Sequence, residues 1–246
     1  MKSKSVLITG GSRGIGAAAA VLAAKKGWDV VITYQNAKTE ADNVVSQITD
    51  LGQRALALEV DISDEAQIVA LFSKIDDEFG QLDALVNNAG VIAPISSFVD
   101  IDAQRIRDVF NINVVGSFIC AREAVKRMSS QQGGSIVNVS SAASRIGSAN
   151  EFIDYAASKG AIDTFTLGLS KEVAGVGIRV NAVRPGLINT QMHRDAGDGA
   201  RPQRLQTMVP MQRPGEPGEI ASAIVWLISD EASYVTGALL DVTGGR

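Results

Sequence analysis

The sequence predicts a doubly wound α/β domain, a parallel sheet of seven strands with helices packed on both faces. Three observations predict it. Short apolar or β-branched runs alternate with longer helical patterns, the signature of parallel strands joined by crossover helices. The first of these runs ends in a glycine-rich turn that opens a helix. The chain has 246 residues, 46% of them hydrophobic, enough for one large core, and no repeat or low-complexity stretch divides it.

Residues 5–9, 30–34, 55–59, 84–87, 135–140, 178–183 and 238–242 read as strands, each short and bounded by polar residues, Gly or turn formers. Between them, 15–26, 39–51, 65–79, 103–128, 155–173 and 218–229 read as helices. Ser63, Asp64 and Glu65 give the third helix an acidic start. Residues 186–217 are rich in Gly, Pro, Arg and Met and long for a connection. They are expected to form a lid within a single domain spanning 1–246, since ligands of such sheets bind at the carboxyl ends of the strands.

A formal net charge of -4 supplies no broad basic field, so neither nucleic acid nor an anionic membrane surface is expected as a partner. The apolar stretch 220–228 is far short of the ~20 residues that cross a bilayer. The apolar run 6–8 is likewise too short for a signal peptide. Cys120 is the sole cysteine and reads as a buried hydrophobe. A cytoplasmic protein is expected. No His, Cys and carboxylate cluster has metal-ligand spacing, and no catalytic metal is expected.

The turn Thr9-Gly10-Gly11-Ser12-Arg13-Gly14-Ile15-Gly16 puts backbone N–H groups and a helix dipole where they favour a phosphate. The glycines are also compatible with a plain tight turn. Residues 10–14 fit G-x-S-x-G, the nucleophile elbow of hydrolases, but only one strand precedes Ser12 and no earlier loop can donate to an oxyanion. Tyr155 and Lys159 stand four apart, on one face of a helix. A cation about 4 Å from a phenol can supply roughly 4 kcal/mol at an effective dielectric of 20 before desolvation costs, so Lys159 could lower Tyr155 toward neutral pH. Small neighbours, Ala156, Ala157, Gly160 and Ala161, leave room for a cofactor or a neighbouring helix beside the pair, and read equally well as ordinary helix packing.

These features, taken with NNAG at 87–90, Asn113 in NVVG, Ser141 in VNVSSA, YAASK at 155–159 and RPG at 184–186, resemble the short-chain dehydrogenase/reductase family along essentially the whole chain. The resemblance implies a Rossmann-type fold and hydride exchange between a nicotinamide and a carbonyl/alcohol substrate. It implies that Tyr155 is the acid/base, that Ser141 holds the substrate oxygen, and that Lys159 binds the nicotinamide ribose and, helped by an oxidised nicotinamide, assists Tyr155. Asn113 would anchor a proton-relay water. Ser141 precedes Tyr155 by one residue more than is usual, which places an insertion in 147–151 or makes Ser140 the active serine; Ser141 is preferred. Gly10, Ser12, Gly14, Ile15 and Gly16 would cradle the pyrophosphate, and Asn88, Ala89 and Gly90 would lie beside the adenosine ribose. Asp61 and Ile62 resemble the adenine-contacting pair, although Asp61 reads equally well as a neighbour of a helix cap. Pro185, Gly186, Ile188 and Thr190 would meet the carboxamide, while His193 reads as a solvated lid residue.

The end of strand two, Tyr34-Gln35-Asn36, lacks the acid with which NAD-specific folds hold the ribose. Arg13 resembles the basic residue that meets a 2′-phosphate, so NADP(H) is the expected cofactor, preferred rather than exclusive. The resemblance is greatest to 3-oxoacyl carrier-protein reductases and glucose dehydrogenase-like members. The substrate pocket would come from 92–95, 142–148 and the lid, which leaves the substrate itself open. The family also implies a homo-oligomer, a tetramer, joined through the helices at 103–128 and 155–173. A cofactor-binding regulatory or scaffold protein without turnover is the alternative reading.

Overall fold

The computed structural model describes residues 3–131 and 133–246. Seven strands form one parallel sheet in the order β3-β2-β1-β4-β5-β6-β7. They are β1 (Ser5–Ile8), β2 (Asp29–Tyr34), β3 (Ala55–Glu59), β4 (Ala84–Asn87), β5 (Gly134–Val139), β6 (Ile178–Pro185) and β7 (Leu239–Val242). The order reverses between β1 and β4, which opens a crevice at their carboxyl ends. The connections contain α1 (Gly14–Lys25), α2 (Lys38–Asp50), α3 (Glu65–Phe79), α4 (Ala103–Phe110), α5 (Ser117–Ser130), the short α6 (Ala143–Ile146), α7 (Ile153–Val173), α8 (Met192–Asp195), α9 (Arg201–Leu205) and α10 (Pro217–Ile228).

Alternation along the strands builds two cores. Val6, Ile8, Val30 and Ile32 face α1, α2 and α10, where Ala19, Ala20, Ala23, Ile48 and Ile224 are buried. Leu7, Val31, Leu85 and Ile136 face α3 and α5, where Ile68, Phe72, Ile75 and Met128 are buried. Cys120 belongs to this second core, and burial pushes its thiol up to about 12. A polar ladder crosses the same face. Asn87 Nδ2 donates to the Ser117 carbonyl at 3.1 Å and to Asn138 Oδ1 at 2.9 Å. Asn138 Nδ2 in turn donates to Thr166 Oγ1 at 2.9 Å.

The helix expected at 103–128 is broken. A π-helical turn, Asn111–Gly116, separates α4 from α5. At Gly116 a Cβ would lie 2.4 Å from the Ile62 carbonyl, so the turn packs against the loop after β3 more closely than any side chain allows. A wide turn of this kind inserts a residue into the helical ladder and redirects side chains, commonly at functional sites. The start of α4 is capped by Asp102, whose carboxylate accepts from Arg105 N at 2.7 Å. Asp102→Ala is expected to remove about 1 kcal/mol, a fall in Tm of about 2–4 °C for a chain of this size, read by thermal denaturation.

Candidate active site

Two cavities meet at the carboxyl ends of the strands. The first, about 530 Å³, is lined by Gly10, Ser12, Arg13, Gly14 and Ile15 from the turn after β1, and by Tyr34, Gln35 and Asn36 after β2. Asp61, Ile62, Asn88, Ala89 and Gly90 complete it from the loops after β3 and β4. The second, about 150 Å³, is lined by Ser141, Tyr155, Lys159, Pro185, Gly186, Ile188 and Thr190 among others. Ile15, Asn88, Gly90, Ile92, Thr190 and Met192 line both, so the cavities form one continuous cleft.

The first cavity fits a dinucleotide. Gly10 has φ +64, and a Cβ there would lie 2.9 Å from Ala89 Cα. At Gly16 a Cβ would lie 2.3 Å from the Gly10 carbonyl, so only glycine lets α1 begin hard against the turn. No side chain caps α1 and its first turn holds no acid, leaving its amides and positive dipole end for a phosphate. The cradle is braced from β4. Asn88 Nδ2 donates to the carbonyls of Thr9 and Gly10 at 2.8 and 2.9 Å. Thr9 Oγ1 accepts from the amides of Asn88 and Ala89.

In the second cavity Tyr155 and Lys159 lie one helical turn apart, Nζ being 5.6 Å from the phenol ring centroid. Ser140 Oγ donates to the Lys159 carbonyl at 3.2 Å and is spent on the backbone. Ser141 Oγ accepts from Ala143 N at 3.1 Å, which leaves its proton available. Without a cofactor, burial governs the electrostatics. Burial pushes the Tyr155 phenol up, with the Ser141 hydroxyl acting the other way. Lys159, only 4% exposed, is pushed down to about 8 by burial, against the opposing pull of Asp163. The ammonium donates to the Val139 carbonyl at 2.8 Å instead of resting against the phenol oxygen. Desolvation therefore outweighs pairing at both groups.

Asn113 sits in the π-helical turn, 1% exposed, behind the cavity wall. Its Oδ1 accepts from Val91 N at 2.8 Å. Its Nδ2 donates to the Val91 carbonyl and to Ser158 Oγ, each at 3.0 Å. Ser158 Oγ then donates to the Tyr155 carbonyl at 2.7 Å. Asn113 thus ties the loop after β4 to the helix that carries Tyr155. A second tie runs through Arg105, whose guanidinium donates to Asp154 at 2.7 and 3.1 Å and to the Pro94 carbonyl at 2.7 Å. Burial alone would raise the Asp154 carboxyl, yet the Arg105 guanidinium holds it below its ordinary range.

Part of the segment 186–217 lines the second cavity. Arg201 donates to both carboxylate oxygens of Glu151, at 2.6 and 2.5 Å, and stacks 5.1 Å from the centroid of Phe152. All three line the cavity with Tyr155. Sequence reasoning missed this pair because opposite charges 50 positions apart leave no local spacing signal. His193 is half-buried in that cavity, not solvated. Its Nε2 lies 3.0 Å from the Ile188 carbonyl, so that nitrogen carries the proton. Burial pushes the imidazole pKa down. Residues 147–151 form a turn with Ser148 and Asn150 at positive φ, 48 and 60.

Arg13 lines the first cavity, yet its guanidinium pairs with Asp195 of α8 at 2.7 Å. Gln35 Nε2 donates to Asp61 Oδ2 at 3.2 Å. No acid ends β2, but Glu40 from α2 lines the same space.

A family model described as enoyl-(acyl carrier protein) reductase matches residues 10–246. A crystal structure of a short-chain type dehydrogenase/reductase from Mycobacterium marinum superposes with TM-score 0.93, at 29% identity, covering 99% of this chain and 96% of that one. The chain belongs to the short-chain dehydrogenase/reductase family. It is 54% identical to the uncharacterized oxidoreductase YgfF of Escherichia coli, over 98% of each chain. It is 35% identical to the 3-oxoacyl-[acyl-carrier-protein] reductase FabG of Staphylococcus aureus, over 99% of this chain and 98% of that one. The chain is therefore an oxidoreductase that works with a nicotinamide cofactor on a small-molecule substrate. Among the described residues no helix is long and apolar enough to cross a membrane.

Proposed function

We propose that this short-chain dehydrogenase/reductase is an NADP(H)-preferring enzyme interconverting a carbonyl and an alcohol, with Tyr155 as general acid/base. The supporting observation is the convergence of Tyr155, Ser141 and Lys159 on a cavity that opens directly into the glycine-rich cleft. When bound, a nicotinamide would supply or accept the hydride. Ser141 Oγ, with its proton free, orients the substrate oxygen beside the phenol. Tyr155 gives that oxygen a proton in reduction and removes it in oxidation. Lys159 would hold the ribose hydroxyls of a bound nicotinamide and would help stabilise the phenolate. Asn113 fixes the backbone around both groups and keeps the helix open for a water relay.

Arg13 supports the NADP(H) preference, because a charge-assisted contact to a 2′-phosphate is worth about 1.5–3 kcal/mol, roughly ten- to a hundredfold. Comparison of kcat/KM for NADPH and NADH with one substrate tests it. The wild type should favour NADPH, and Arg13→Ala should erase that margin. Equal wild-type values would end the proposal. A panel of ketones, aldehydes, oxoacyl thioesters and sugars locates the substrate.

The reading extends to a cytoplasmic homotetramer. Phe118 of α5 stacks on Phe165 of α7 with centroids 3.8 Å apart, and Val115, Phe118 and Leu167 remain exposed nearby. Such an apolar face fits burial against a second copy. Light scattering should give about four times 25.8 kDa; a monomer at micromolar concentration would remove this part of the proposal.

A further inference from the structure

The cleft that would take the adenosine end of the cofactor has one cation among its described lining residues, Arg13, and three carboxylates, Glu40, Asp61 and Asp195. Arg13 is held by one of those acids. Its Nη2 lies 2.7 Å from Asp195 Oδ2, and its Nη1 lies 3.5 Å from Gln191 Oε1. Both partners come from the lid, some 180 positions along the chain, whereas Arg13 is the residue immediately before α1. The two side chains are each about half exposed, so the bond is open to competition.

From this geometry we infer that Asp195 is a cofactor-specificity residue: its carboxylate competes with the 2′-phosphate of NADP(H) for Arg13 and thereby links cofactor choice to the anchoring of the lid. The inference rests on the reading of Arg13 as the phosphate partner. A 2′-phosphate must displace Asp195 to use the guanidinium, whereas a cofactor with a free 2′-hydroxyl can leave the ion pair intact. Asp195 therefore subtracts from NADP(H) affinity and leaves NAD(H) affinity alone. Coupling is reciprocal, so the phosphate that takes Arg13 also releases α8 from the glycine-rich turn.

The magnitude follows from the exposure of the pair. Exposed ion pairs are worth about 0.2–1 kcal/mol, so removal of the competitor should tighten phosphate binding about 1.4- to 5-fold. The effect is small enough to need a cycle of variants. Asp195→Asn keeps the side-chain shape and removes the charge.

The experiment is calorimetric titration of adenosine 2′,5′-bisphosphate and of 5′-AMP into the wild type, D195N, R13A and the double variant at low salt. The expected result is that D195N tightens the bisphosphate about 1.4- to 5-fold, leaves 5′-AMP unchanged, and has no effect in the R13A background. A gain that persists without Arg13, or that extends to 5′-AMP, would show a general field effect and overturn the competition. If R13A weakens the bisphosphate while D195N changes nothing, the competition fails and the role of Arg13 stands. If the wild type does not distinguish the two ligands and R13A alters neither, the role of Arg13 fails with it. Hydrogen exchange gives a second readout. Amides of 192–196 should exchange faster in the wild type on adding bisphosphate and be fast already in D195N; no change in either would overturn the lid linkage.

Discussion

Tyr155→Phe is expected to lower kcat at least about 100-fold while leaving cofactor affinity unchanged, the usual signature of losing a general acid. The change deletes one oxygen and keeps the ring beside Lys159. Steady-state kinetics and cofactor titration on the same preparation read both effects. Retention of more than about a tenth of kcat would remove Tyr155 from the acid role. Burial pushes the phenol up in the cofactor-free protein, so the protonated form that the proposed acid role would use persists to alkaline pH. If Tyr155 is the base, the rate of alcohol oxidation should rise with pH in the wild type and lose that dependence in the Phe variant.

Lys159→Met should separate activity from stability. Activity is expected to fall about 100-fold or more, the scale of removing one preorganised charge or donor. Stability should move differently. Burial lowers the ammonium from its ordinary 10.5 to about 8, so above pH 8 the unfolded chain holds a proton that the native protein has released. The charge therefore opposes folding fully below about pH 8, and this is relieved as pH rises from 8 to 10.5. At ~1.36 kcal/mol per pKa unit the opposition is on the order of 3 kcal/mol. Methionine removes it but leaves the Val139 carbonyl without its donor, a loss of about 1–3 kcal/mol. The cofactor-free variant should thus melt at or above the wild-type temperature at pH 7, with any margin shrinking by pH 10. A clearly lower Tm at pH 7 would show that Lys159 stabilises the fold.

Much of this was legible in the sequence because it is local. The seven strands, the turn at 9–16 and the Tyr155–Lys159 spacing depend on neighbours within a few residues, and the structure places them within a residue or two of the expected limits. What escaped was non-local. No short-range pattern distinguishes the π-helical turn at Asn111–Gly116 from an unbroken helix, since the break is set by the approach of Gly116 to the Ile62 carbonyl. Arg201 and Glu151, Arg105 and Asp154, and Arg13 and Asp195 are pairs that only the folded chain brings together. The high Tyr155 phenol of the cofactor-free protein escaped for a related reason. Charge proximity can be read from spacing, but the desolvation that outweighs it depends on everything packed around the pair.

The ladder from Asn87 through Asn138 to Thr166 bears on how the enzyme can fail. A sheet of Val, Ile and Leu alone would tolerate a slipped strand, one apolar side chain replacing another. Sliding β5 by a single position would turn Asn138 toward the α1 and α10 core and set Val137 or Val139 against Thr166, stranding amide groups where no water reaches them. The penalty falls on the out-of-register chain as a whole, so that state should be essentially unpopulated. Refolded protein should then consist of fully competent molecules and unfolded ones, the fraction of active sites equalling the fraction folded at every denaturant concentration.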